Sequence, residues 1–279
     1  MDHRCIQCFE KTYTRLLDRF PLSPSQEIVF AEFFNLQMKK IGELSSPEIQ
    51  RNLFFKLREL TGIFDMYADE KRESNEKALA LYDEWHPKVK DSDDPFMLAL
   101  RLAIAGNIMD YGANIRFNVD ETILQVLKAD FAIDHSEKLR EKIAAAEKIL
   151  YLGDNAGEIV FDRLFIEQLG KKVVFAVKNA PVLNDVTLED AKKSGMDRVA
   201  EIISNGYDAP STVLYKCSHE FRKHYDEADL IISKGQGNFE GLIHEKDSRL
   251  FFLLMVKCDV IAEHIHAPKK SFIVYNPEE

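Results

Sequence analysis

Long apolar runs are missing from this 279-residue chain: no stretch approaches the roughly 18 residues of a membrane span, and the opening Met1-Asp2-His3-Arg4-Cys5 is polar. The expectation is a cytoplasmic protein with no membrane partner. Cysteine is scarce as well. Cys5, Cys8, Cys217 and Cys258 are too few to staple a fold of this length. Cys5-Ile6-Gln7-Cys8 has the spacing of a metal knuckle or a redox pair, but no second close pair completes a four-ligand zinc site. Two thiols on the first turn of a helix that runs on through Tyr13, Leu16 and Leu17 is the simpler reading. Positive charge is in deficit: 37 Lys and Arg against 47 Asp and Glu leave −10, which argues against a nucleic-acid partner. The usual phosphate loops are absent too. No P-loop occurs, and Gly153-Asp154-Asn155-Ala156-Gly157 is not the G-x-G-x-x-G of a dinucleotide site. An aspartyl-phosphate route needs a second Asp two positions after the nucleophile, where this chain has Ala156.

What is present is enough apolar residue, 46% of the chain, to bury a sizeable core. The first half reads as helix. Pro24 and Ser46-Pro47-Glu48 are placed to open helices, a short helix from Asn75 to Trp85 is expected to end at His86-Pro87, and Lys88 to Asp94 reads as a charged loop. Asp94-Pro95-Phe96, Asp120 and Ser136 begin further helical stretches. After about residue 147 short β-branched or aromatic runs alternate with amphipathic segments: Ile149–Leu152, Val173–Val177, Val199–Ile203, Leu230–Ser233 and Phe251–Val256. That alternation predicts an α/β fold: a helical N-terminal domain over 1–146 packed on a Rossmann-like, mostly parallel α/β domain over 147–279 that carries the functional site.

Three loops at strand ends concentrate polar groups. The first, Gly153-Asp154-Asn155-Ala156-Gly157-Glu158, lies between a strand and an amphipathic helix that Gly170 would cap. The second holds Asn184-Asp185, with Thr187 and Asp190 spaced as a capping box. The third is the glycine-rich Ser233-Lys234-Gly235-Gln236-Gly237-Asn238-Phe239-Glu240. In a parallel sheet these loops leave the same edge, where open α/β sheets bind ligands. Asp154, Asn155 and Asp185 would then converge as oxygen ligands for a hard cation. Lys234 would set an ammonium against phosphate oxygens, and the helix beginning near Ala156 would offer its backbone N–H groups to the same anion. Each residue also has a plainer reading: Asp154 as a helix N-cap, Asn184-Asp185 as turn residues, Lys234-Gly235 as a tight turn. A fourth polar group, Asn107 and Asp110, shares a helix face at i, i+3 spacing in the first half.

In combination these stretches resemble the damage-control phosphatase family, ARMT-like proteins long catalogued as a domain of unknown function. Cys5-x-x-Cys8 and Ala105-Gly106-Asn107-Ile108-Met109-Asp110 look like its compact prokaryotic branch. The resemblance implies a metal-dependent phosphatase that hydrolyses phosphate esters of small metabolites, such as sugar phosphates or damaged by-products. It implies metal ligation by Asp154, Asn155 and Asp185 and phosphate contact by Lys234. It places Asn107, Asp110, Glu158, Asn184 and Asn238 near the substrate. The divalent ion expected first is Mn²⁺ or Mg²⁺, with Ni²⁺ or Co²⁺ next. Two alternatives accompany it: an S-adenosylmethionine-dependent carboxyl methyltransferase, and a non-catalytic metal-binding module with an ion on Cys5 and Cys8.

Overall fold

The side chains of the β-runs alternate between two faces, and a helical layer covers each. The computed structural model describes residues 2–106 and 119–278. Three helices come first: α1 (Arg4–Arg19), α2 (Pro24–Met38) and α3 (Ser46–Thr61). Capping boxes fix the starts of α2, through Ser23 and Gln26, and of α3, through Ser45 and Glu48, with a proline in each first turn. Next come α4 (Ala68–Lys90), α5 (Pro95–Gly106), α6 (Val119–Lys128), β1 (Ile133–Asp134) and α7 (Ser136–Ala145). The second half runs β2 (Lys148–Leu152), α8 (Glu158–Leu169), β3 (Lys172–Val177), α9 (Leu188–Lys193) and β4 (Glu201–Ser204). It finishes with α10 (His219–Glu227), β5 (Leu230–Lys234), α11 (Gly235–Leu242), β6 (Leu250–Met255), α12 (Asp259–Ile265) and β7 (Phe272–Tyr275).

The strands form one seven-stranded sheet in the order β1-β7-β6-β5-β2-β3-β4, parallel except where β7 runs against β6. Ile149, Tyr151, Val173, Phe175, Leu230, Ile232, Phe251 and Leu253 face one side, where α4 to α9 cover them. Leu150, Leu152, Ala176, Ile231, Phe252 and Leu254 face the other, under α10, α11 and α12. Period-2 alternation with both faces buried is what a helix-covered parallel sheet requires. The helices α1–α3 build a third apolar cluster of their own, around Phe9, Tyr13, Phe30, Leu53, Phe54 and Leu57, into which Val182 from the loop after β3 inserts fully buried.

Several elements differ from the sequence expectation. The helix expected to stop at His86 continues through Pro87 to Lys90, because Val89 extends its buried face and a proline in the last turn removes only one backbone bond. The strand pair β1 and β7 was not anticipated. Both are short, and β1 comes from the first 146 residues yet pairs with β7 at the sheet edge. The glycine-rich segment after β5 is a helix, α11, rather than a loop, since Gly235 and Gly237 meet structural demands described below. Among the described residues no helix is long and apolar enough to cross a membrane.

Candidate functional site

Strand order decides where the site lies. From β2 the chain adds β3 and β4 on one side, then returns to place β5 on the other, so the switch point falls at the carboxyl ends of β2 and β5. Asp154 stands two residues past the end of β2 and reaches across to the first residue after β5. A Cβ on Gly235 would sit 1.8 Å from Asp154 Oδ2, and the backbone there has φ +76°, so glycine is required twice over. At Gly237 a Cβ would sit 2.4 Å from the Pro210 carbonyl oxygen. These contacts place glycine in α11 despite its poor helix propensity.

The loops after β2 and β3 are joined by their own short ladder. Asn155 and Asp185 form an antiparallel bridge flanked by two backbone bonds, Val186 N–H to Asp154 O at 2.9 Å and Ala156 N–H to Asn184 O at 3.0 Å. The second loop also closes on its own strand, Lys178 N–H donating to Val186 O at 3.0 Å. Asp154, Asn155 and Asp185 are therefore fixed by backbone, each less than a tenth exposed. Thr187 and Asp190 make the anticipated capping box.

Above these residues opens a cleft of about 540 Å³. Its floor is Asp154, Asn155, Asn184 and Asp185. Its walls come from α1 (Cys5, Cys8), the start of α3 (Ser46, Gln50), α11 (Gln236, Glu240) and the segment after β6 (Lys257, Cys258). Leu183, in the floor loop, holds a left-handed φ of 47°, an uncommon conformation for a leucine, while packing on the α1–α3 cluster.

The electrostatics favour a cation. Burial raises the Asp154 carboxyl well above its ordinary value, and the neighbouring Glu158 and Asp185 carboxylates raise it further; Lys257 and Lys178 offset part of this. Asn155 settles its own orientation. Its Nδ2 lies 2.9 Å from Asp154 Oδ2 and 3.2 Å from Glu158 Oε2, so its NH₂ end donates to both carboxyl groups. That turns Oδ1 away from these two carboxyl groups, where it could serve a cation. Two carboxylates and one carboxamide oxygen suit a hard divalent ion, so the donor set fits the expected metal. Among the described residues no group of three or more His, Cys, Asp or Glu side chains is placed to hold a metal, the cysteine pair included.

Other expected residues lie below the cleft. Lys234 does not line it: fully buried, its ammonium donates to Glu158 Oε1 at 2.6 Å, Asp162 Oδ1 at 2.5 Å and Ala103 O at 2.8 Å. An ammonium has three donors, and these three contacts take them all. Glu158 is fully buried as well. Asn238 ties the loops together, donating to Gly153 O (3.1 Å) and Lys234 O (2.9 Å) and accepting from Lys178 Nζ and Thr212 Oγ1 (3.0 Å each). The first amides of the α8 turn are also engaged, Ala156 N–H by Asn184 O and Gly157 N–H by Asn75 Oδ1 at 2.7 Å. Asp154 is not the N-cap of α8; Gly157 occupies that position. Asn107 and Asp110 lie outside the described residues.

Sequence reasoning missed Lys178, Asp162 and Lys257. Lys178 is buried with its ammonium 3.7 Å from Asp185 Oδ2, in the strand-end position after β3 that Lys234 occupies in β5. Asp162 follows Glu158 at i, i+4, a spacing visible in the sequence. No motif marks Lys257.

Comparison with known proteins identifies the family. The sequence matches the damage-control phosphatase ARMT1-like domain over residues 1–272. It is 36% identical to a damage-control phosphatase from Pyrococcus horikoshii over 85% of this chain and 84% of that protein. It is 33% identical to a damage-control phosphatase from Archaeoglobus fulgidus, covering 83% of this chain and 81% of the relative. The fold superposes on the crystal structure of a DUF89 family protein from P. horikoshii with a TM-score of 0.88 at 30% identity, covering 100% of this chain and 99% of that one.

Proposed function

The chain belongs to the damage-control phosphatase ARMT1-like family, and from that premise we propose that it is a metal-dependent phosphatase acting on phosphate monoesters of small metabolites. The observation that carries this reading is the short ladder between the loops after β2 and β3, which fixes Asp154, Asn155 and Asp185 at the floor of a cleft at the sheet's switch point. Asp154, Asn155 and Asp185 would hold the ion, Mn²⁺ or Mg²⁺ first and Ni²⁺ or Co²⁺ next. When bound, such a cation neutralises charge on the phosphoryl oxygens and makes water a better nucleophile.

The protein's own groups supply the rest. Lys257 lines the cleft close enough to Asp154 to favour its charged form. Its ammonium is the group we assign to the phosphoryl oxygens, the task expected of Lys234 from the motif alone. The backbone ladder holds the floor oxygens before substrate arrives, so little reorganisation is needed during reaction. The walls, including α1 and α11, receive the leaving group. Neither the site nor the relatives favour methyl transfer.

The test is phosphate release from a panel of sugar phosphates, nucleotides and phosphopantetheine, in EDTA and with Mg²⁺, Mn²⁺, Co²⁺ or Ni²⁺ restored. Release that requires a divalent ion and vanishes in Asp154→Ala supports the reading. Release that survives both EDTA and the substitution overturns it.

A further inference from the structure

A fully buried lysine is costly to desolvate, and an ion cluster of this kind is often no more stabilising than apolar side chains of the same volume. Lys234 therefore invites a question about what its charge holds in place. Glu158 and Asp162 lie on one face of α8 and flank the ammonium at 2.6 and 2.5 Å, all three side chains fully buried. Asp162 is further held from the sheet by Tyr151, whose hydroxyl donates to the same Oδ1 at 2.8 Å. Its role ends there. Glu158 differs: one oxygen accepts from Lys234, and the other, Oε2, accepts from Asn155 Nδ2. The same Nδ2 reaches Asp154 Oδ2. An unbroken chain of contacts thus runs from Lys234 through Glu158 to Asn155 and Asp154, from beneath the sheet edge to the floor of the cleft.

We infer that Lys234 and Glu158 are positioning residues for the metal site: Lys234 holds the Glu158 carboxyl group in place, and Glu158 in turn keeps the NH₂ end of Asn155 inward so that Oδ1 is presented to the cation. This rests on the proposed reading of Asp154, Asn155 and Asp185 as ligands. Its physical content is an orientation. A carboxamide turned by 180° offers two N–H donors to a cation where it should offer an oxygen, and without an acceptor-only partner at Glu158 less opposes that turn. Partners that orient ligands in this way typically contribute 10- to 100-fold in metal affinity.

Two isosteric substitutions separate this role from a structural one. Glu158→Gln and Asp162→Asn each remove one carboxylate from Lys234 and leave the other as its counter-ion, but only Glu158 touches Asn155. Mn²⁺ binding to the purified chain, read from the electron paramagnetic resonance signal of free Mn²⁺, needs no substrate. The expected result is about 10- to 100-fold weaker binding in Glu158→Gln and binding within about threefold of wild type in Asp162→Asn. Equal losses in the two variants, or none in Glu158→Gln, overturn the positioning role while leaving the metal site standing. A wild-type chain that binds no Mn²⁺ overturns the metal reading itself, and the positioning role with it. The wild-type chain gives a second check that does not depend on any variant folding: both side-chain amide protons of Asn155 must resist exchange with deuterated solvent. Exchange at the rate of an exposed asparagine overturns the inference.

Discussion

The floor and the walls of the cleft are built on different principles. In the floor, backbone ladders hold Asp154, Asn155 and Asp185, with buried Glu158, Lys178, Lys234 and Asn238 packed beneath them. The walls depend on exposed contacts between distant segments. Arg4 at the start of α1 bridges to Asp2 at 2.8 Å and to Glu263 in α12 at 2.6 Å, and all three side chains are substantially exposed. Pre-organised, water-excluded groups determine rate, whereas adjustable surfaces determine which leaving group is accepted. The division of labour between floor and wall is the comparison to break.

The largest effect belongs to the floor itself. Asp154→Ala removes one of the proposed ligand oxygens and is expected to lower the phosphate-release rate by about 10³-fold, equivalent to roughly 4 kcal/mol of barrier. Circular dichroism should show an intact fold. A rate within tenfold of wild type would mean that the floor does not carry the chemistry.

Gly235→Ala comes next and attacks the floor without touching a ligand. The new methyl would overlap the Asp154 carboxylate and force alanine into a left-handed conformation. The strain costs roughly 1–3 kcal/mol of stability, and displacing a catalytic group by about 1 Å costs on the order of 10²-fold in rate. Thermal melting and kcat measured together separate the two. A stable variant with normal kcat would show that Asp154 can move without consequence.

How much of this was legible follows the same line. Asp154 and Asn155 stand out in the sequence because they sit just past a strand-like run, and Asp185 because it lies in the polar loop after the next such run, where a parallel sheet gathers loops. The role of Lys234 was not legible. Its partners Glu158, Asp162 and Ala103 come from α8 and α5, and a strand-end lysine beside glycines reads equally well as a phosphate contact. The i, i+4 pair Glu158 and Asp162 was the available signal. β1, at two residues, is too short to show a period, and α11 looked like a loop because glycine's helix propensity is poor. The structure instead requires glycine there for close approach. The walls, joined from residues 4–12, 46–50, 236–240 and 257–260, have no motif to read.

Chemistry at the wall gives the third test. Burial is the main cause that pushes the Cys5 thiol up to about 11, with Glu240 and Cys258 adding to it; the Cys8 thiol is also raised. A raised thiol pKa means less thiolate at every pH below it, and the thiolate is the nucleophile. At pH 8 alkylation of Cys5 should therefore run about 100-fold slower than that of a thiol at the ordinary value near 9, and accelerate as pH climbs towards 11. Peptide mapping after a timed pulse of iodoacetamide measures it. Rapid labelling at pH 8 would show α1 lifting from the cleft, and would sharpen the contrast with the floor.

The smallest effect is expected at Arg4, and it bears most directly on whether floor and wall are separable. Arg4→Ala cuts the exposed link that ties α1, one wall of the cleft, to α12. Exposed ion pairs contribute little to stability and are screened by salt. Arg4 bonds to Asp2 and Glu263, not to the floor ladder, so kcat should stay within about twofold, while KM rises a few-fold as one wall loosens. If that is the cause, raising salt to about 0.5 M should reproduce part of the KM change in the wild-type chain, because screening weakens the same link. A fall in kcat as large as that of Gly235→Ala would mean that the position of α1 reaches the ligand oxygens. Floor and wall would then be one cooperative unit, with Val182 and Leu183, which join the floor loop to the α1–α3 cluster, as the route between them.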